Sequence, residues 1–199
     1  MSTLGLSQFS SSNEMILEQQ SVRCCPRIKK EYLVKNLAME NIFSLVGNDR
    51  WYSLFLCCQK TEIRLLDGEN EIVRFVNKTE CCRKTIGVYL PPNNFIGKVK
   101  EKLNPFRTKL VVKNRNGVVF LRIRGPVHIA NIISPISEYE IFSEKGEKVG
   151  SITRHWTGFV RERLLHLHAY SISFPYEADI ETKSILLAAA LLIDLLLSK

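Results

Sequence analysis

Covalent catalysis has almost no foothold in this 199-residue chain: it lacks a G-x-S-x-G elbow, a glycine-rich phosphate loop and an H-E-x-x-H motif. Those absences exclude the usual nucleophile, nucleotide and metalloprotease constellations, so a non-enzymatic protein is expected. Histidine is scarce, at four residues, and the six cysteines show no C-x-x-C spacing. A zinc site therefore has little support. The first twenty residues have neither a basic start nor a long apolar stretch, so no secretory signal is expected. Ser2 stands where N-myristoylation needs glycine. No extended helical pattern precedes residue 178, and no apolar run approaches the roughly 20 residues that span a bilayer.

What the chain does have is strand-forming sequence cut by short turns. Turns are expected at Gly47-Asn48-Asp49, Asp67-Gly68, Asn116-Gly117 and Lys145-Gly146, and Pro91-Pro92 splits "RKTIGVYL" from "NNFIGKVKEK". The segments between them alternate with period two, and "HAYSISF" reads as one more strand. Residues 1–22 read as a disordered tail and 23–199 as one domain. The expected fold is mainly β: an antiparallel closed barrel of about 10–12 strands around a hydrophobic C-terminal helix at about 180–198.

That helix, "SILLAAALLIDLLLSK", is apolar on all faces except at Asp194. The stretch 185–197 is about 20 Å long as a helix, short of a bilayer core of about 30 Å. Burial within a wrapping sheet is the favoured reading, with membrane insertion as the other. In the buried case Asp194 is expected near a rim, paired with a base or capping a polar pocket.

The net charge is +8. Bases recur two apart at Lys98, Lys100 and Lys102, at Arg107 and Lys109, and at Arg122 and Arg124. On strands such residues share a face, so a positive strip is expected outside adjacent strands, facing acidic lipid or nucleic acid. Few aromatics interleave with it, which disfavours a single-strand nucleic-acid platform. The cysteines come as adjacent pairs, Cys24-Cys25, Cys57-Cys58 and Cys81-Cys82. Neighbours in extended chain point apart, and a reducing cytosol fits. Buried small hydrophobes and reversible S-palmitoylation both remain open, with Cys81, Cys82, Cys57 and Cys58 as candidates.

Two C-terminal segments carry a resemblance. "GSITRHWTGFVRE" (150–162) resembles the G-K-I-S-K-H-W-T-G segment of phospholipid scramblases, including His155, Trp156, Thr157 and Gly158. "SISFPYEADIETKSILLAAALLIDLLLS" resembles their F-G-I-x-F-P-x-D-L-D stretch and the L-I-D helix after it. The resemblance covers roughly residues 40–198. It implies a tubby-like barrel threaded by the C-terminal helix, calcium-activated and ATP-independent movement of phospholipids between leaflets, palmitoylated cysteines, and a site on the cytosolic face of the plasma membrane. A nuclear pool and a homo-oligomer are further expectations.

The chain departs from the family where calcium is concerned. Against the D-x-D-N-F-G-I pattern it has "HLHAYSI", with His166 and His168 in place of the acids. Glu177 and Asp179 remain as oxygen donors. Calcium takes six to eight oxygens, so weak or absent calcium binding is expected. Trp156 reads either as an interfacial anchor or as a packed strand end. Two functions follow from this reading: a phospholipid scramblase-like protein, or a peripheral module that binds acidic lipid or nucleic acid through its basic face without transport.

Overall fold

Alternation along the strands puts the apolar residues on one side. In β6 (Arg83–Leu90), Lys84, Ile86 and Val88 are buried, while Thr85, Gly87 and Tyr89 belong to the other face. In β10 (Ile136–Ser143), Ser137, Tyr139 and Ile141 are buried in the same way. The computed structural model describes residues 9–24, 27–47, 60–80, 83–127, 136–155 and 168–197, apart from the side chains of 21–30, 60 and 80.

Among them are twelve strands. The others are β1 (Glu14–Cys24), β2 (Arg27–Lys35), β3 (Asn41–Gly47), β4 (Lys60–Asp67), β5 (Asn70–Glu80), β7 (Asn94–Glu101), β8 (Arg107–Asn114), β9 (Val119–Val127), β11 (Lys148–His155) and β12 (Ala169–Ser173). Each pairs antiparallel with its sequence neighbour, and β1 also pairs β12, from Glu14 opposite Ser173 to Glu18 opposite Ala169. The sheet thus closes on itself and leaves no free edge.

Three expected turns sit where the glycines are. Gly68, Gly117 and Gly146 have φ of 60°, 79° and 85°, a region that costs glycine little and other residues more. Pro91-Pro92, joined by a cis peptide, links β6 to β7. The turn expected after Gly47, with the "WYSLFLCC" run that follows it, lies outside the described residues.

The barrel's lumen is filled by α1 (Ile180–Leu197), in which every residue from Lys183 to Leu195 is buried. A helix apolar all round must leave water, and here the twelve strands sheathe it. It lies close against the wall at Gly97: a Cβ there would stand 2.5 Å from the Lys113 carbonyl oxygen and 2.7 Å from Ile185 Cδ1. Among the described residues no helix is long and apolar enough to cross a membrane. Among the described strand residues most apolar side chains point inward and most charged ones outward, the reverse of the pattern of a membrane-spanning barrel.

One expectation is corrected. Residues 14–22 are not part of a disordered tail but most of β1, hydrogen-bonded on both sides to β2 and β12. Met15, Leu17 and Gln19 point into the lumen and are buried there. Further upstream Phe9 is also buried, edge-on to Phe43 with centroids 5.6 Å apart. The polar run Glu18-Gln19-Gln20-Ser21 conceals the alternation, because Gln19 takes an inward position where an apolar residue is the usual signal.

Candidate functional site

Inside the barrel, a polar clasp holds the C-terminal end of α1. Asp194 is buried near that end, and its two carboxylate oxygens meet side chains from β2, β12 and the residue before β12. Tyr32 on β2 donates its hydroxyl at 2.7 Å, Tyr170 on β12 donates at 3.1 Å, and His168, just before β12, approaches with Nδ1 at 2.7 Å. An ionised carboxylate only accepts, so His168 carries its proton on Nδ1. Gln19 backs the group through its amide NH2, which donates to the Tyr32 hydroxyl at 3.4 Å. Its own backbone N–H donates to the His168 carbonyl at 2.9 Å. A buried carboxylate without such donors would cost several kcal/mol. Burial first, and the Asp194 charge second, push the Tyr170 phenol well above its ordinary pKa.

Two buried lysines fix the two ends of the rod. Lys84 Nζ donates to the Leu195 carbonyl at 2.5 Å, a cation at the helix terminus that favours one. Lys183 donates to the carbonyls of Phe9 (3.3 Å) and Ser10, and burial lowers its pKa. At the start of α1, Asp179 Oδ1 accepts from the Thr182 N–H at 2.8 Å, an N-cap.

Outside, the bases gather. The register sets Lys98 of β7 opposite Lys113 of β8, and Lys109 of β8 opposite Arg124 of β9. Between those pairs runs the row Lys100, Val111, Arg122. Lys98, Lys100, Lys109, Arg122 and Arg124 therefore share one outer patch, as the spacing of the bases implies. Lys102 follows β7 and Arg107 opens β8, so both lie at its lower margin, toward the helix C-terminus.

Like charges directly opposite on neighbouring strands are destabilising. Elsewhere the barrel pairs its bases: Lys148 with Glu138 (2.8 Å) and Glu140 (3.3 Å), Arg74 with Glu71 (2.8 Å), Lys35 with Glu18 (2.5 Å). Among the described residues Lys98, Lys100, Lys109, Lys113 and Arg122 have no such carboxylate. Arg124 lies over the Phe142 ring at 5.0 Å, with Glu140 opposite it on β10.

Two grooves open on this patch. One, of about 170 Å³, lies over Gly87 between Lys78, Lys98 and Lys100, walled by the Tyr89 and Phe95 rings, whose centroids are 5.3 Å apart. Thr85 Oγ1 lies buried in its lining without a hydrogen-bond partner. The other, of about 330 Å³, runs past Val111 between Lys102, Lys109, Arg122 and Arg124. Sequence reasoning missed Lys78 and Lys113. Lys113 keeps the two-residue spacing from Lys109 through Val111, the one signal that could have found it.

Among the described residues, the calcium candidates His168, Glu177 and Asp179 do not converge on one site. Glu177 (φ 61°) and exposed Asp179 stand before the start of α1, and Asp179 is already used as the cap. His168 touches Asp194, fifteen residues further along the helix, which is about 22 Å away along its axis. An inward-facing histidine and a capping aspartate do not make an oxygen cage for calcium, and the described residues do not fit the ion. His166, Trp156, Thr157, Gly158, Cys57, Cys58, Cys81 and Cys82 lie outside the described residues. His155, at the end of β11, is exposed, with Nε2 2.8 Å from Ser171 Oγ.

Fold and site together describe an antiparallel barrel sheathing its own C-terminal helix, with an unpaired basic outer face. Comparison with known proteins gives that class a family. The family model described as Scramblase matches residues 62–197, more than half of the chain. The chain belongs to the scramblase family. Human phospholipid scramblase 2 is 26% identical over 204 residues, covering 94% of this chain and 68% of the relative. Human phospholipid scramblase 1 is 25% identical over 96% of this chain and 64% of its own length. Mouse phospholipid scramblase 4 reaches 32% identity, over 57% of this chain and 35% of its own. No solved structure matches significantly.

Proposed function

We propose that this chain is a phospholipid scramblase-like protein that moves phospholipids between leaflets in both directions without ATP, working from the barrel's outer face. Family membership and the names of its relatives support that reading. The observation that carries it is the patch of β7–β9, where Lys98 opposes Lys113 and Lys109 opposes Arg124. A headgroup phosphate in either groove would relieve that repulsion. Lys78, Lys98, Lys100 and the unpartnered Thr85 hydroxyl would donate in the first, and Lys109, Arg122 and Arg124 in the second. Each base near an acidic surface contributes about 1 kcal/mol to membrane contact.

With α1 clasped inside, Asp194 lines no lipid path. Headgroups would pass along the outer basic grooves where the bilayer is locally thinned, and an oligomer would lengthen that path. Nothing in this route passes through calcium. Acylation at Cys57, Cys58, Cys81 or Cys82 and a place on the cytosolic face of the plasma membrane complete the reading, since one acyl chain plus a basic patch holds a protein where one chain alone does not.

The buried helix also favours a second reading, a peripheral module that binds acidic lipid without moving it. Liposomes carrying fluorescent lipid, quenched by dithionite, separate the two. Loss of the protected inner-leaflet signal, with or without calcium, is expected of a scramblase. Full protection with the protein bound leaves the binding module.

A further inference from the structure

Among the described residues the two ends of the barrel differ in charge. Strands that alternate in direction place the links 36–40, 68–69, 91–93, 115–118, 144–147 and 174–179 at the end where α1 begins. Those links carry six acids (Glu40, Glu69, Glu144, Glu147, Glu177, Asp179) against two bases, Arg115 and Lys145. At the opposite end, where α1 finishes, the one described link, 102–106, carries Lys102 and no acid of its own, between Glu101 at the end of β7 and Arg107 at the start of β8.

That link also exposes apolar surface. Leu103 is 60% and Phe106 71% exposed, and the neighbouring strand ends add Val127, opposite Arg107, and Ile136. The loop holds its shape: Asn104 Oδ1 accepts from the N–H groups of Phe106 (3.1 Å) and Arg107 (3.0 Å), and the Lys102 N–H donates to the Lys109 carbonyl at 2.8 Å. Its two apolar side chains are thus presented to water by a preorganised turn, and little ordering entropy remains to be lost on contact. Leu196 and Leu197 share a recess with Leu103 and Lys109 behind it.

Exposed apolar residues occur at the acidic end too, among them Met39 and Tyr176. Charge decides between the ends, because Glu40 and Glu177 adjoin those residues and would be repelled by an anionic surface.

We infer that the 102–107 loop is a membrane-docking tip: Leu103 and Phe106 enter the boundary between headgroups and acyl chains of a bilayer rich in acidic phospholipid. Lys102, Arg107 and Lys109 reach the phosphates, and the acidic end faces away. The choice of a bilayer as partner rests on the membrane reading above. The geometry stands the barrel axis toward the membrane and sets the basic grooves alongside the headgroups. Apolar insertion combined with basic contact is what holds interfacial segments.

Co-sedimentation of the full chain with phosphatidylcholine vesicles, with and without phosphatidylserine, tests the inference. Leu103→Asp with Phe106→Asp should weaken binding to the acidic vesicles about tenfold or more, from the lost burial of two large side chains. Met39→Asp with Tyr176→Asp should leave it unchanged. As a check independent of those variants, Phe106→Trp should add emission that brominated lipids quench, and Tyr176→Trp emission that they do not. Unchanged binding by the Leu103/Phe106 variant, or equal quenching at both ends, overturns the tip and spares the membrane reading. No binding by the unaltered chain overturns both. Self-association without vesicles that the Leu103/Phe106 variant abolishes assigns the patch to a second copy of the chain and overturns the proposal.

Discussion

Asp194 concentrates the physical risk of this fold. It is the one acid in the run 185–197, which is otherwise leucine, isoleucine and alanine, and donors from β2, β12 and the residue before β12 offset its burial. Asp194→Ala should lower unfolding stability by about 3 kcal/mol or more, because it strands His168, Tyr32 and Tyr170 without their acceptor. A denaturant midpoint measures it.

Tyr170 adds a pH signature. Its folded pKa lies well above the ordinary value, so in alkali the unfolded chain releases a proton that the folded barrel keeps. The contribution is complete below about pH 10 and is lost as pH rises beyond it, by up to about 1.4 kcal/mol per pH unit. Tyr170→Phe should therefore flatten the alkaline limb of stability against pH. An unchanged slope would remove Tyr170 from the clasp. His168 shows why sequence could not find this cluster: a histidine beside a strand reads as a surface ligand until closure of the barrel settles which way it points.

At the scale of elements, β1 and the β7–β9 patch make opposite demands. β1 closes the barrel, so deleting residues 14–24 would expose the edges of β2 and β12, and the product should aggregate rather than fold; size-exclusion chromatography reports it. The patch holds like charges opposite one another at a cost. Lys113→Glu, facing Lys98, should raise stability by roughly 0.2–1 kcal/mol while weakening binding to acidic vesicles. If stability and binding rise together, the patch is not the lipid contact.

Much of this level was legible in advance. The hairpins at Gly68, Gly117 and Gly146 declared themselves through turn chemistry, and the bases through their spacing. β1 did not, because Gln19 occupies a core position, and the inward Lys84 that caps α1 looks like any other strand lysine until its partner, the Leu195 carbonyl, is known.

For the whole molecule, the central claim is that α1 stays inside the barrel and that membrane chemistry belongs to the outer surface. The length of the apolar run argued for the first part, and the closed sheet sheathes the helix. The polarity of the two ends was not legible, because it depends on which links share an end, and only the strand order decides that. Hydrogen–deuterium exchange on the full chain, free and bound to acidic vesicles, tests the claim most directly. The strands that line the helix, β6 and β7, should keep the same slow exchange on the membrane as in solution. A marked loss of their protection on vesicle binding would mean that the rod had left the lumen, and would contradict the account.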